Sequence, residues 1–152
     1  MDSLTPQECQ AIIDSISSWE PLHVTKKLGG ELKFKQAPII QWGNKYPYIL
    51  HELVLRYDVG DYCTLHIDSK WRNINPRLSA YAVWITPLND DYEGGELYFD
   101  GKLVEQVVGV PNKYKRTIPH EITPVTQGTR YSLVSWLFLP VEDARNKNTI
   151  SL

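Results

Sequence analysis

The chain reads as a mainly β protein, a sandwich or jelly roll, with one N-terminal helix. Two observations predict this class. From about residue 32 onward, short apolar runs of strand length are broken at close intervals by Gly, Pro and Asn. A single helical pattern precedes them, and its apolar face needs a sheet to cover it. The length of 152 residues permits one well-buried core and is short for two ordinary domains, and ten prolines and nine glycines suit a turn-rich sheet protein.

The helix opens at Thr5-Pro6-Gln7-Glu8, where the threonine caps, proline is tolerated at the first helical position and Glu8 completes a capping box. Cys9, Ile12, Ile13 and Ile16 then recur at helical spacing, and the helix is expected to end near Trp19, before Pro21. The expected strands are 32–34, 53–57, 63–67, 79–85, 96–99, 104–108 and 130–139. Breaks fall at Val59-Gly60-Asp61, Asn75-Pro76, Asn89-Asp90, Gly94-Gly95 and Gln127-Gly128. The last strand is apolar on both faces apart from Arg130 and its serines, so it is expected to be central and covered on both sides.

Composition narrows the function classes. The net charge of −2 and scattered Lys/Arg argue against a nucleic-acid backbone binder. The densest basic cluster, Lys113-Tyr114-Lys115-Arg116, reads as a solvated loop. The two cysteines, Cys9 and Cys63, make no disulfide framework, and the first residues do not resemble a signal peptide. A cytoplasmic setting is therefore expected. No apolar stretch approaches membrane-spanning length, so no membrane partner is expected.

Four residues carry the chemistry. His66 and Asp68 are two apart, so an extended segment projects both to one side, with Ile67 pointing back toward the core. His120 enters a strand-like stretch that a sheet can bring beside His66. Two imidazoles and a carboxylate can hold one face of an Fe(II) ion and leave the opposite positions open. Arg130 heads an apolar strand with Ser132 on the same face, and a guanidinium entering a core needs an anion. That anion is either a protein carboxylate or a small dicarboxylate gripped by the arginine fork, with the Ser132 hydroxyl as a further donor. Tyr57 can add another hydroxyl; Tyr62 and Tyr81 are weaker candidates. His23 and His51 lack a carboxylate at matching spacing and are assigned structural or surface roles.

These segments, taken together, resemble those of one family. Tyr57-Asp-Val-Gly-Asp-Tyr-Cys-Thr-Leu-His66-Ile-Asp68 is similar to the metal-binding segment of the prolyl-4-hydroxylase-like Fe(II)/2-oxoglutarate oxygenases. Asp91-Tyr-Glu-Gly-Gly-Glu-Leu-Tyr-Phe99 resembles that family's Gly-Gly-Glu hairpin. The run from Pro119-His120 to Arg130-Tyr-Ser132-Leu resembles its distal-histidine and co-substrate-arginine segment. The motifs keep the family's order over roughly residues 50–138. There are two departures. Val110-Pro-Asn-Lys-Tyr-Lys-Arg-Thr-Ile-Pro119 stands where members often have an apolar strand and a Phe-Pro-Ser-like turn, and the tyrosine at 62 sits one place earlier than usual.

The resemblance implies a cupin-like double-stranded β-helix with the N-terminal helix on one sheet. It implies one oxygenase domain over 1–152: helix and support strands to 50, a catalytic β-core over 51–140 and a polar tail from 141. His66, Asp68 and His120 would be iron ligands. Arg130, assisted by Tyr57 and Ser132, would hold the distal carboxylate of 2-oxoglutarate. The cofactor set would be Fe(II), 2-oxoglutarate and O2, with ascorbate as accessory reductant, and the products succinate, CO2 and a hydroxylated substrate. On family grounds that substrate is a prolyl residue of a peptide or protein. The loop Ser69–Arg77, with Trp71 and Arg72, reads either as part of a substrate lid or as an ordinary surface loop. Two competing readings remain: a non-catalytic β-sandwich that binds a ligand, and a cupin-like metalloenzyme that needs no arginine clamp.

Overall fold

The computed structural model describes residues 3–26, 30–37, 49–67, 78–115 and 117–140. Asp68, the 69–77 loop and the 141–152 tail lie outside these residues, as do the side chains of His51 and Tyr81. One helix, α1 (Pro6–Asp14), is followed by twelve strands among the described residues. They are β1 (Glu20–Lys26), β2 (Gly30–Gln36), β3 (Ile49–Tyr57), β4 (Tyr62–His66), β5 (Leu78–Pro87), β6 (Tyr92–Gly94), β7 (Leu97–Phe99), β8 (Lys102–Leu103), β9 (Asn112–Lys115), β10 (His120–Ile122), β11 (Val125–Gly128) and β12 (Arg130–Pro140). The main sheet is antiparallel throughout, in the order β8-β7-β10-β4-β2-β3-β12-β5-β9, with β1 also paired to β2. β6 and β11 form a separate ribbon.

The main sheet curls until its ends meet. Tyr114 on β9 lies 4.6 Å, centroid to centroid, from Phe99 on β7 and from His120 on β10, although these strands stand at opposite ends of the strand order. The joint is β2, which pairs through Leu32 and Lys33 with β4, then through Lys35 and Gln36 with β3. The result is a double-stranded β-helix whose inner face holds one apolar cluster, including Tyr57, Cys63, Val83, Ile85, Leu97, Tyr114 and Val134. Strand alternation sends the other face of β3 and β12 outward, where Val54 and Leu133 meet Cys9 and Ile12 of α1. So β12 is covered on both faces, and the N-terminal helix packs on the sheet, as its sequence predicts.

The sequence expectations fail in four places. The capping box forms as read, with Glu8 N–H donating to Thr5 Oγ1. However, α1 stops at Asp14, because Ser15 turns its hydroxyl onto the Ile12 carbonyl and caps the helix well before Trp19. The expected strand 104–108 is irregular backbone, with Val107 exposed. Lys113-Tyr114-Lys115 is strand β9 rather than a solvated loop: Tyr114 points inward and Lys113 Nζ sits 4.3 Å from the Trp84 ring centroid. Ile67 is 45% exposed rather than core.

Candidate active site

The histidine end is built on β4 and β10. His66 and His120 are direct cross-strand partners, with ring centroids 4.2 Å apart. On the same pair of strands Ile122 faces Cys63, so two steps on β10 match three on β4. That bulge puts Cys63 and His66 on the inner face together, whereas strict alternation would separate them. It also accounts for the outward-facing Leu65 and Ile67, both exposed. His66 Nδ1 lies 2.8 Å from the Thr64 carbonyl and His120 Nδ1 lies 3.0 Å from the Ile118 carbonyl. A carbonyl only accepts, so both Nδ1 atoms carry the proton and both Nε2 atoms present a lone pair. This backbone orientation of the rings is the one metal-bound imidazoles use. The Tyr114 hydroxyl then donates to His120 Nε2 at 3.1 Å. Cys63 Sγ stands 3.4 Å from His66 Nδ1.

The arginine end is built on β3 and β12. Arg130 pairs in register with Tyr57 and is 1% exposed. Its Nη1 donates to Ser132 Oγ at 3.1 Å and its Nη2 to Gln106 Oε1 at 2.9 Å. The Tyr57 ring lies against the guanidinium, 5.1 Å from centroid to Cζ, so it is the aromatic ring that borders the cation. Arg130 Nε is buried and has no acceptor among the described residues. Among the described residues, none of the ion pairs includes Arg130. A buried cation with two neutral acceptors lacks charge compensation, which an incoming carboxylate would supply. Gly95 makes room for the arginine stem: a Cβ there would lie 2.9 Å from Arg130 Cδ, and its φ of +58° also disfavours a side chain.

The turn between β3 and β4 joins the two ends. Asp58 follows Tyr57 and is bound by Lys35 Nζ and, at 2.9 Å, by Arg56 Nε. Partial burial alone would raise the Asp58 carboxyl, but the hydrogen bonds and charges of Lys35 and Arg56 outweigh it and hold it below the usual range. Asp58 N–H donates to Asp61 Oδ2 at 2.9 Å, which closes the turn.

The structure thus brings His66 beside His120, and Arg130 beside Tyr57 and Ser132. Asp68 lies outside the described residues, and among these no three His, Cys, Asp or Glu side chains form a metal-binding group. His23 pairs at the surface with Glu31, a structural role as expected. Tyr62 also bonds Glu31, whose carboxyl is held low first by His23 and then by Tyr62.

A family model described as the 2OG-Fe(II) oxygenase superfamily matches residues 53–138. The chain belongs to that superfamily. A PKHD-type hydroxylase of Gloeothece citriformis is 32% identical over 111 residues, covering 68% of this chain and 50% of its own length. The chain spans about half the length of such curated relatives. Among solved structures, a Pseudomonas putida prolyl-4-hydroxylase superposes with a TM-score of 0.61 at 17% identity, covering 90% of this chain and 88% of its own. A collagen prolyl hydroxylase of Paramecium bursaria Chlorella virus-1, solved with 2OG, gives 0.59 at 16% identity, covering 91% and 93%. These likenesses establish the oxygenase jelly-roll fold.

Two residues of this candidate site were missed in the sequence. Tyr114 stood between lysines, where a single aromatic residue gives little sign of a buried strand face. Gln106 lay in an apparent strand, and nothing in its neighbours marks it as a partner of Arg130.

Proposed function

We propose that the chain carries the catalytic site of an Fe(II)- and 2-oxoglutarate-dependent dioxygenase that hydroxylates a C–H bond, with a prolyl residue of a peptide or protein as the leading substrate. The observation that carries this reading is Arg130, a buried guanidinium that has, among the described residues, only neutral acceptors and an unpartnered Nε; it lies against Tyr57 of the inner cluster whose Tyr114 touches His120. A cupin-like metalloenzyme that does not use 2-oxoglutarate has no need of it. The names of the structural relatives support the prolyl class.

The donor set fits Fe(II). His66 and His120 have their Nδ1 atoms tied to carbonyls, an iron ion on their Nε2 atoms would displace the Tyr114 hydroxyl from His120, and Asp68, two residues from His66, is the proposed third ligand. Bound iron supplies the activation of O2 that couples oxidative decarboxylation of 2-oxoglutarate, to succinate and CO2, with insertion of one oxygen atom into the substrate C–H bond. The chain's own share is positioning. Arg130, backed by Ser132 and bordered by Tyr57, grips the distal carboxylate and fixes the co-substrate's reach toward the histidines. The guanidinium binds and orients; it does not exchange protons. The apolar walls formed by Phe99, Leu97 and Tyr114 exclude water. Both cysteines are free and buried, which suits the cytoplasmic setting proposed for the chain.

The test is succinate formation from 2-oxoglutarate with Fe(II), ascorbate and O2, with and without a prolyl peptide. Wild type should form succinate, faster with peptide, and His66→Ala should not. Equal succinate from both would sink the assignment. Iron-dependent turnover without 2-oxoglutarate would favour the cupin reading.

A further inference from the structure

Resting on that reading of the site, we infer that Gln106 is a positioning residue for the co-substrate: it orients the Arg130 fork and thereby sets the affinity for the distal carboxylate of the dicarboxylate. The segment that carries it, residues 104–111, has no regular structure yet is pinned at several points. Val104 N–H donates to the Leu97 carbonyl at 2.9 Å, and Gly109 N–H to the Pro87 carbonyl at 2.8 Å. The Gly109 carbonyl accepts from Leu4 N–H at 2.8 Å. Between these anchors Glu105 and Val107 are exposed, and Gln106 alone of the three turns inward.

Its carboxamide makes two contacts of different kinds. Oε1 accepts from Arg130 Nη2 at 2.9 Å, and Nε2 donates to the Gly95 carbonyl at 3.4 Å. Gly95 is the residue whose missing side chain leaves room for the Arg130 stem. One amide therefore ties the guanidinium to the backbone that frames it. Ser132 holds Nη1 from the opposite side. An arginine has five N–H groups; Ser132 and Gln106 take one each, and those left suffice for a bidentate carboxylate. Because Gln106 is neutral, it fixes the fork without cancelling its charge. A carboxylate at this position would cancel it and repel the incoming dicarboxylate.

The experiment is calorimetric titration of 2-oxoglutarate, without O2, into Fe(II)-loaded wild type, Gln106→Glu and Gln106→Ala, with Fe(II) affinity and melting temperature recorded for each. Gln106→Glu should weaken 2-oxoglutarate about tenfold or more, the scale of one hydrogen bond to a charged group. Gln106→Ala should weaken it by a few fold, since orientation is lost but the charge stays available. Fe(II) affinity should stay at the wild-type value in both, and Gln106→Glu, whose carboxylate compensates the buried guanidinium, should melt no lower than wild type. In turnover, KM for 2-oxoglutarate should rise while kcat holds. Wild-type 2-oxoglutarate affinity in both variants would overturn this inference alone. Loss of iron binding or of thermal stability in step with the weakened affinity would also overturn it, in favour of a structural role. If wild type itself does not bind 2-oxoglutarate, the reading of the whole site fails and this inference with it.

Discussion

The two ends of the site are held by different means. Arg130 and Tyr57 sit on β12 and β3, whose register runs unbroken from Arg130↔Tyr57 to Trp136↔His51. Both faces of that pair are packed, one by the inner cluster and one by α1. His66 and His120 sit on short strands, β4 and β10, that share two register pairs and a bulge. The arginine cradle is therefore a property of the folded sheet, with its cation held by Ser132, Gln106 and the Tyr57 ring. The histidine rings are aimed by the Thr64 and Ile118 carbonyls, with the Tyr114 hydroxyl also on His120. Binding of dicarboxylate and of metal should thus be separable by mutation.

Breaking the histidine end should have the largest effect. His120→Ala is expected to abolish Fe(II) binding and reduce succinate formation to background, while far-UV circular dichroism stays that of wild type. Loss of the fold instead would mean that the imidazole pair is structural. Breaking the arginine end should be the next largest. Arg130→Lys keeps the charge but loses the planar fork, so 2-oxoglutarate affinity should fall about tenfold or more. An unchanged KM for 2-oxoglutarate would show that the carboxylate binds elsewhere.

Gly95→Ala sharpens the comparison by crowding the arginine without removing it. A side chain at this left-handed position costs about 1–2 kcal/mol in backbone strain, and its Cβ would press on Arg130 Cδ. The variant should melt lower and bind 2-oxoglutarate more weakly, with iron binding retained; thermal melts and calorimetry would check it. The smallest effect is expected at Glu52, on the outer face of the β3–β12 pair. Burial pushes its carboxyl up, and the Ser135 hydroxyl, donating at 2.7 Å, offsets only part of that. A carboxyl raised on folding favours the folded state at pH below its unfolded value, and that contribution is lost as pH rises through the folded value. At neutral pH, above the unfolded value, the raised Glu52 carboxyl therefore weakens the fold. Glu52→Gln should raise the melting temperature at pH 7, and the gain should vanish in acid; an equal gain at both would break the link to titration.

The same contrast explains what was legible in the sequence. Strands β3 and β12 carry apolar residues on both faces, and a buried arginine at the head of such a run declares its need for an anion, so the arginine end could be read in detail. At the histidine end the partners could be named, but not the bulge that turns His66 inward beside Cys63, because a bulge depends on pairing with a distant strand. β1 went unread because charged residues and Pro21 mask an edge strand that, among the described residues, pairs with β2 alone. The apolar look of 104–108 suggests a strand, whereas the backbone bonds of Val104 to Leu97 and of Gly109 to Pro87 and Leu4 bend the segment into the support for Gln106.

Anaerobic titration of Fe(II) into wild type, His66→Ala and Arg130→Lys tests the separation of the two ends most directly. Wild type and Arg130→Lys should each bind one equivalent with the same affinity, and His66→Ala should bind none. Iron binding lost in both variants, or kept in both, would contradict the account.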